Sequence, residues 1–211
     1  MSETESSNPL PPYIEDLTLA FQNPLPGFET RAAMAPIHRK FLTAPPNAKQ
    51  SATLLLLFQR DHAWYFSLIK RPGNERDKHS GQISFPGGQV EKNDSSFKET
   101  AKREAYEEIG IPQKDIQIIG KLTETYIDVS NFNIHPYVAY LPYAPTYTIQ
   151  ESEVAKVIEF PVNALNDLSI RKVKNMKVRN FLLKDIPYFD FQDQVIWGAT
   201  AMMMSEFAAM Q

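Results

Sequence analysis

Residues 78–111 read KHSGQISFPGGQVEKNDSSFKETAKREAYEEIGI, a glycine turn followed by a helix that stacks carboxylates. The turn is Pro86-Gly87-Gly88, where two glycines permit an abrupt change of backbone direction. A helix follows over 96–109. Ser96 and Glu99 have the spacing of a capping box, Gly110 suits the residue after the last turn, and Pro112 blocks continuation. Phe97, Ala101 and Ala105 give that helix a narrow apolar strip. Glu104, Glu107 and Glu108 fall at i, i+3 and i+4 and so share one face. Like charges at that spacing repel. A hard cation relieves the repulsion, because Mg²⁺ takes carboxylate oxygens and commonly bridges them to substrate phosphates.

The rest of the site is read from the same segment. Glu104 and Glu108, one turn apart, are the best ligands, and Glu107 shares a second cation or holds its water. A carbonyl at the glycine turn, that of Gly87, adds a further oxygen ligand. Arg103 points to a neighbouring face, where an ion pair orients a glutamate or locks the turn. A cation held this way polarises a phosphoryl oxygen and lowers the pKa of bound water. The expected reaction is Mg²⁺-dependent attack of water on a diphosphate linkage, with Mn²⁺ equally acceptable to an oxygen site. The base is Glu107 or a loop acid such as Glu151 or Glu153; Glu153 precedes an apolar segment and reaches across the cleft. His79, a lone loop histidine, is read as structural.

Working outward, 51–59 and 64–70 read as strands joined by a hairpin turn at Arg60-Asp61-His62, and 82–85 as a short strand. Residues 116–125, 134–141 and 154–160 are further strands, 162–168 a short helix and 194–210 a final helix. Trp197 and Met202 to Met204 pack that helix on the sheet. Residues 171–184 carry six basic side chains and no acid, read mainly as a solvated face. Upstream, 14–21 suits a short helix and 28–49 an irregular arm. That divides the chain into an N-terminal arm, 1–49, and one domain over 50–211. Strands on both sides of one central helix point to an α/β (α+β) domain with a mixed sheet.

Composition narrows the classes. The 211 residues, 43% hydrophobic, suit one sizeable core. A net charge of -3 gives no global attraction to nucleic acid or an acidic membrane. The absence of cysteine removes disulfides and thiolate chemistry and fits a cytoplasmic protein. The N-terminus lacks the pattern of a signal peptide, and no stretch is apolar enough to span a membrane. The expected partner is a small nucleotide; a homodimer, to which the arm would contribute, stays open.

The central segment resembles the Nudix box, G-x5-E-x7-R-E-U-x-E-E-x-G-U, with U aliphatic. Gly88 matches the opening glycine, and Arg103, Glu104, Ala105, Glu107, Glu108, Gly110 and Ile111 match the close. Asp94 stands where the early glutamate belongs, and the span from Gly88 to Arg103 is one residue longer than the pattern. Residues 68–88, LIKRPGNERDKHSGQISFPGG, are similar to the extra motif of coenzyme A pyrophosphatases within that superfamily. Arg71, Arg76, Gly81, Phe85, Pro86, Gly87 and Gly88 follow it, while Pro72 and an extra residue before Gly81 depart from it. Residues 130–138 and 196–204 also look like this subgroup, so the resemblance covers about 50–207.

The resemblance implies an α/β/α sandwich with the catalytic loop and helix at its centre. It also implies hydrolysis of coenzyme A or acyl-coenzyme A to 3′,5′-ADP and (acyl-)4′-phosphopantetheine. Extra positive groups are then expected for the 3′-phosphate, with Arg71, Arg76 and Lys78 as candidates. Phe132 or Tyr137 could stack on adenine, although core packing explains either. Two other readings remain: a hydrolase of another nucleoside diphosphate derivative such as ADP-ribose, and a non-catalytic nucleotide-binding regulator. The regulator is disfavoured because no metal ligand is lost.

Overall fold

A computed structural model describes residues 9–37, 39–73, 81–178 and 181–211. Arg76, Lys78 and His79 therefore lie outside the described residues. The main sheet contains β1 (Lys49–Arg60), β2 (Ala63–Lys70), β3 (Ile83–Ser84), β4 (Gly87–Gln89), β5 (Gln117–Lys121), β6 (Thr125–Ile127), β7 (Phe132–Tyr140) and β8 (Lys156–Pro161). The order β3-β2-β1-β7-β5 forms its backbone; β4 also pairs with β1, β6 with β7 and β8 with β2. β1 and β7 run parallel, and the other pairs are antiparallel.

The unbroken apolar run LLLLF in β1 follows from its central place. Leu54, Leu56 and Phe58 pack on one side, Leu55 and Leu57 on the other, and all five are buried. A strand covered on both faces has no polar alternation to show. Between β1 and β2, Asp61 and His62 have positive φ, 49° and 63°, the form a tight hairpin needs.

Among the described residues, four α-helices complete the layers: α1 (Pro12–Ala20), α2 (Phe28–Ala32), α3 (Phe97–Ile109) and α4 (Gly198–Ala208). α3 lays Ala101, Ala105 and Ile109 on the Leu54 side of β1. α4 lays Met202, Met203, Met204 and Phe207 on the opposite side, joined there by Ile14 and Leu17 of α1. The result is the expected α/β/α sandwich around a mixed sheet.

Three expectations change. Residues 116–125 are not one strand. β5 and β6 pair with different parts of β7, with a register shift between Ile118 and Gly120 and buried Leu122 between them. The final helix starts at Gly198, not 194, because Gln194–Trp197 is a strand (β11). It pairs with β10 (Phe181–Phe191) through a turn at Gln192 and Asp193, both at positive φ. The basic run, read as a solvated face, is largely exposed, and its first part forms β9 (Arg171–Val178), an arm of the same second sheet ordered β11-β10-β9; the change lies in its being a strand. Two of its cations meet β10: Lys172 Nζ lies 2.6 Å from Asp190 and Lys174 Nζ stands 4.6 Å from the Tyr188 ring centre.

The segment before β1 is also more ordered than an irregular arm. Arg31 in α2 is buried and donates to the Glu124 carbonyl at 3.2 Å and to Thr125 Oγ1. Its Nε lies 4.0 Å from the buried carboxylate of Glu206 in α4. Ser205 Oγ donates to the Thr30 carbonyl at 2.7 Å. α2 is thereby tied to α4 and to the connection between β5 and β6.

Candidate functional site

The turn before α3 is folded against β1. Gly87 and Gly88 stand opposite Thr53 and Ala52. A Cβ on Gly87, whose φ is +155°, would lie 2.4 Å from the Ala52 carbonyl oxygen. A Cβ on Gly88 would lie 2.4 Å from Glu104 Oε1. The glycines are thus bare for two reasons: one lets β4 reach the β1 backbone, the other leaves room for a carboxylate. Gly87 N donates to Glu108 Oε2 at 2.8 Å, so the turn also fixes the second carboxylate.

α3 starts with Ser96 Oγ accepting from Glu99 N, as the capping residues suggest, and ends at Gly110 in the left-handed region. Arg103 links the turn to the helix. Its Nε and Nη2 donate to the two oxygens of Asp94 at 2.9 and 3.0 Å, and its Nη2 also to the Gln89 carbonyl at 3.1 Å. Its Nη1 donates to Glu104 Oε1 at 2.9 Å and to Glu107 Oε2 at 2.8 Å. Asp94 receives two more bonds, from Thr100 Oγ1 and Glu91 N, each 2.9 Å. The Arg103 bonds, with these two, hold the Asp94 carboxyl well below the usual carboxylate range. Arg103 is thus bonded both to glutamates of the helix and to the turn before it. Its Asp94 partner was not foreseen; the one sequence signal was an acid at the position of the early glutamate.

Glu104, Glu108 and Glu153 present carboxylate oxygens that all lie within 4.8 Å of one another. Glu108 is 1% exposed and Glu104 nearly buried, whereas Glu153 is exposed. Burial, opposed by the Gly87 bond and reinforced by Glu104, pushes the Glu108 carboxyl up to about 8. Burial also raises Glu104, with Arg103 opposing. Two buried acids and a third at their side form a cluster disfavoured by desolvation and by mutual repulsion. Oxygen-only donors at this spacing fit a hard divalent cation such as Mg²⁺ or Mn²⁺.

Glu107 is not in this cluster; it is half-exposed and bonded to Arg103. Arg71 lies close enough to Glu108 to draw its carboxyl downward. Phe132, at the start of β7, lies under Lys49 Nζ at 5.5 Å from the ring centre. Tyr137 is buried on the α3 side of the sheet.

Sequence comparison matches the NUDIX domain over residues 48–180. The chain is 35% identical over 162 residues to the uncharacterized Nudix hydrolase NudL of Enterobacter sp., covering 77% of this chain and 82% of that protein. It is 29% identical over 196 residues to the Pectobacterium atrosepticum NudL, covering 92% and 93%. Among solved structures, a Nudix hydrolase from M. smegmatis, RenU, superposes with TM-score 0.52 at 14% identity, over 77% of this chain and 84% of that one. A MutT/nudix family protein from Enterococcus faecalis gives 0.50 at 16% identity, over 96% and 75%.

Proposed function

The chain belongs to the Nudix family of hydrolases acting on nucleoside diphosphate derivatives, and from that premise we propose that its substrate is coenzyme A or acyl-coenzyme A. Water attacks the diphosphate linkage, giving 3′,5′-ADP and (acyl-)4′-phosphopantetheine. The observation that carries the metal-dependent part is the convergence of Glu104, Glu108 and Glu153 within 4.8 Å, from a helix and a separate loop. The coenzyme A part rests on the motif over 68–88, of which Arg71 lies near enough to act electrostatically on Glu108.

When bound, Mg²⁺ or Mn²⁺ supplies charge stabilisation at the phosphoryl oxygens and lowers the pKa of water. Glu104 and Glu108 hold it, with the Gly87 carbonyl as a further oxygen donor. Gly87 N fixes one oxygen of Glu108, and Arg103, braced by Asp94, fixes one of Glu104. Glu153 is exposed beside them, which suits a carboxylate that completes the ligand set and accepts the proton of the attacking water. Glu107 steadies Arg103 from the other side. Arg71 is assigned to a substrate phosphate, as are Arg76 and Lys78, and Phe132 to the adenine.

The test is parallel hydrolysis of coenzyme A and ADP-ribose, with products separated by chromatography. Release of 3′,5′-ADP and phosphopantetheine at the higher rate supports the proposal. Faster ADP-ribose cleavage retains the family chemistry and replaces the substrate.

A further inference from the structure

The loop that carries Glu153 leaves β7, returns through β8, and is fastened at several points. Tyr147 makes the first attachment: its hydroxyl meets Ser67 Oγ at 2.9 Å, and Ser67 is fully buried in β2. Beside the phenol stands Glu159, which accepts from Arg60 Nη2 at 2.9 Å; the same Nη2 reaches the Pro145 carbonyl at 3.0 Å.

Next come two bonds to the catalytic helix itself. Thr148 N donates to the Ile109 carbonyl at 3.1 Å and Gln150 N to the Glu108 carbonyl at 3.0 Å. Carbonyls of a last helical turn have no partner within the helix, so the loop completes α3. The approach is close: a Cβ on Gly110 would fall 2.8 Å from Thr148 Cβ. Past the site, Glu153 N and Val154 N both donate to the Gln150 carbonyl, at 2.9 and 2.8 Å. Val154 is fully buried, and Ala155 N donates to the Lys70 carbonyl at 2.8 Å.

Glu153 is thus an exposed side chain on a fastened backbone. Within its loop, the main-chain bonds locate 148–150 relative to α3. The Tyr147 hydroxyl locates the same loop relative to β2, the strand whose far end meets Glu153's neighbours. We propose that Tyr147, through its bond to Ser67, is a positioning residue that holds Glu153 against Glu104 and Glu108. This rests on the metal-dependent reading above. Tyr147 does not touch substrate or ion; it acts through the placement of one carboxylate.

The test is Mn²⁺ titration by calorimetry, which needs no substrate. The proteins are wild type, Tyr147→Phe, Ser67→Ala, Glu153→Gln and the Tyr147→Phe/Glu153→Gln double variant. Phenylalanine keeps the ring and removes only the hydroxyl, and Ser67→Ala removes the same bond from the other side. Each of these two should weaken Mn²⁺ binding about 10-fold, the lower end for residues that orient a ligand. Glu153→Gln should weaken it at least as much, and Tyr147→Phe should add nothing on top of Glu153→Gln. A general loosening of the fold would instead give additive losses, and that result overturns the proposal. So does wild-type affinity in Tyr147→Phe and Ser67→Ala, or in Glu153→Gln. A wild type that takes up no Mn²⁺ overturns the metal reading first and this inference with it, so the two failures are distinct.

Discussion

Replacing Gly88 by alanine should disable the site while leaving the fold in place. The new Cβ would stand 2.4 Å from Glu104 Oε1, 2.5 Å from its Cδ and 2.6 Å from Oε2, where ordinary contact begins at 3.4 Å. The carboxylate is the free end of a side chain, so it gives way by about 1 Å rather than forcing the backbone apart. Arg103 Nη1, bonded to Glu104 Oε1, moves with it. A misplacement of this size costs on the order of 100-fold in rate, about 2.7 kcal/mol of transition-state stabilisation. The neighbouring Gly87→Ala is the control. Its Cβ would meet the Ala52 carbonyl oxygen at 2.4 Å and Thr53 Cα at 2.7 Å, at a φ of +155°. Backbone cannot withdraw as a side chain does, so this variant should lose about 2 kcal/mol of stability or more. Diphosphate hydrolysis and thermal melting of the two variants, side by side, separate the effects. Wild-type turnover in Gly88→Ala, or melting as depressed as that of Gly87→Ala, would show that the new Cβ does not act by displacing Glu104.

Asp94→Asn should cost about 2 kcal/mol, because it removes the charge from a two-point bond to Arg103, and about 10-fold in rate through Glu104; melting curves and kcat check the two parts. Arg31→Ala leaves the Glu206 carboxylate buried without its cation, and should lower stability by about 3 kcal/mol and the melting temperature by roughly 10 °C. Without divalent ions, the Glu108 carboxyl at about 8 binds its proton more tightly in the folded chain than at its ordinary 4.5. Its contribution is therefore complete below pH 4.5 and lost as pH rises to 8. Melting temperature measured across that window should fall with pH, and added Mg²⁺ should flatten the slope; equal slopes with and without Mg²⁺ would count against an ion at Glu108.

What could be read from the chain was what repeats locally. The capping pair Ser96 and Glu99, the stop at Gly110 and the strip of Ala101 and Ala105 each act within one helix, so α3 was legible to its ends. The stretch 51–59 was legible as a strand, although its burial on both faces was not. Contacts across long separations were not legible. Nothing near Thr148 or Gln150 shows that their amides complete α3, yet those bonds bring Glu153 beside Glu108. The β9–β10 pair was hidden for another reason. In β9 the buried Met176 shares its face with Lys172 and Lys174, and Val173 on the other face is exposed, so no apolar alternation marks a strand whose cluster is completed by Ile186 and Tyr188 of β10. Gln194 to Trp197 looked helical because it runs into an apolar helix, but the turn at Asp193 pairs it with β10. The two glycines were read as a change of backbone direction; their surroundings show that they also make room for the Ala52 backbone and the Glu104 carboxylate.

We propose that Glu104, Glu108 and Glu153 hold a divalent cation for diphosphate hydrolysis. The most direct test is the initial rate of coenzyme A hydrolysis against Mg²⁺ concentration, for wild type and Glu108→Gln. Wild type should show a saturable rise that EDTA abolishes, and Glu108→Gln a loss of orders of magnitude with no fall in melting temperature. Turnover that ignores EDTA, or that survives in Glu108→Gln near the wild-type rate, would contradict the proposal.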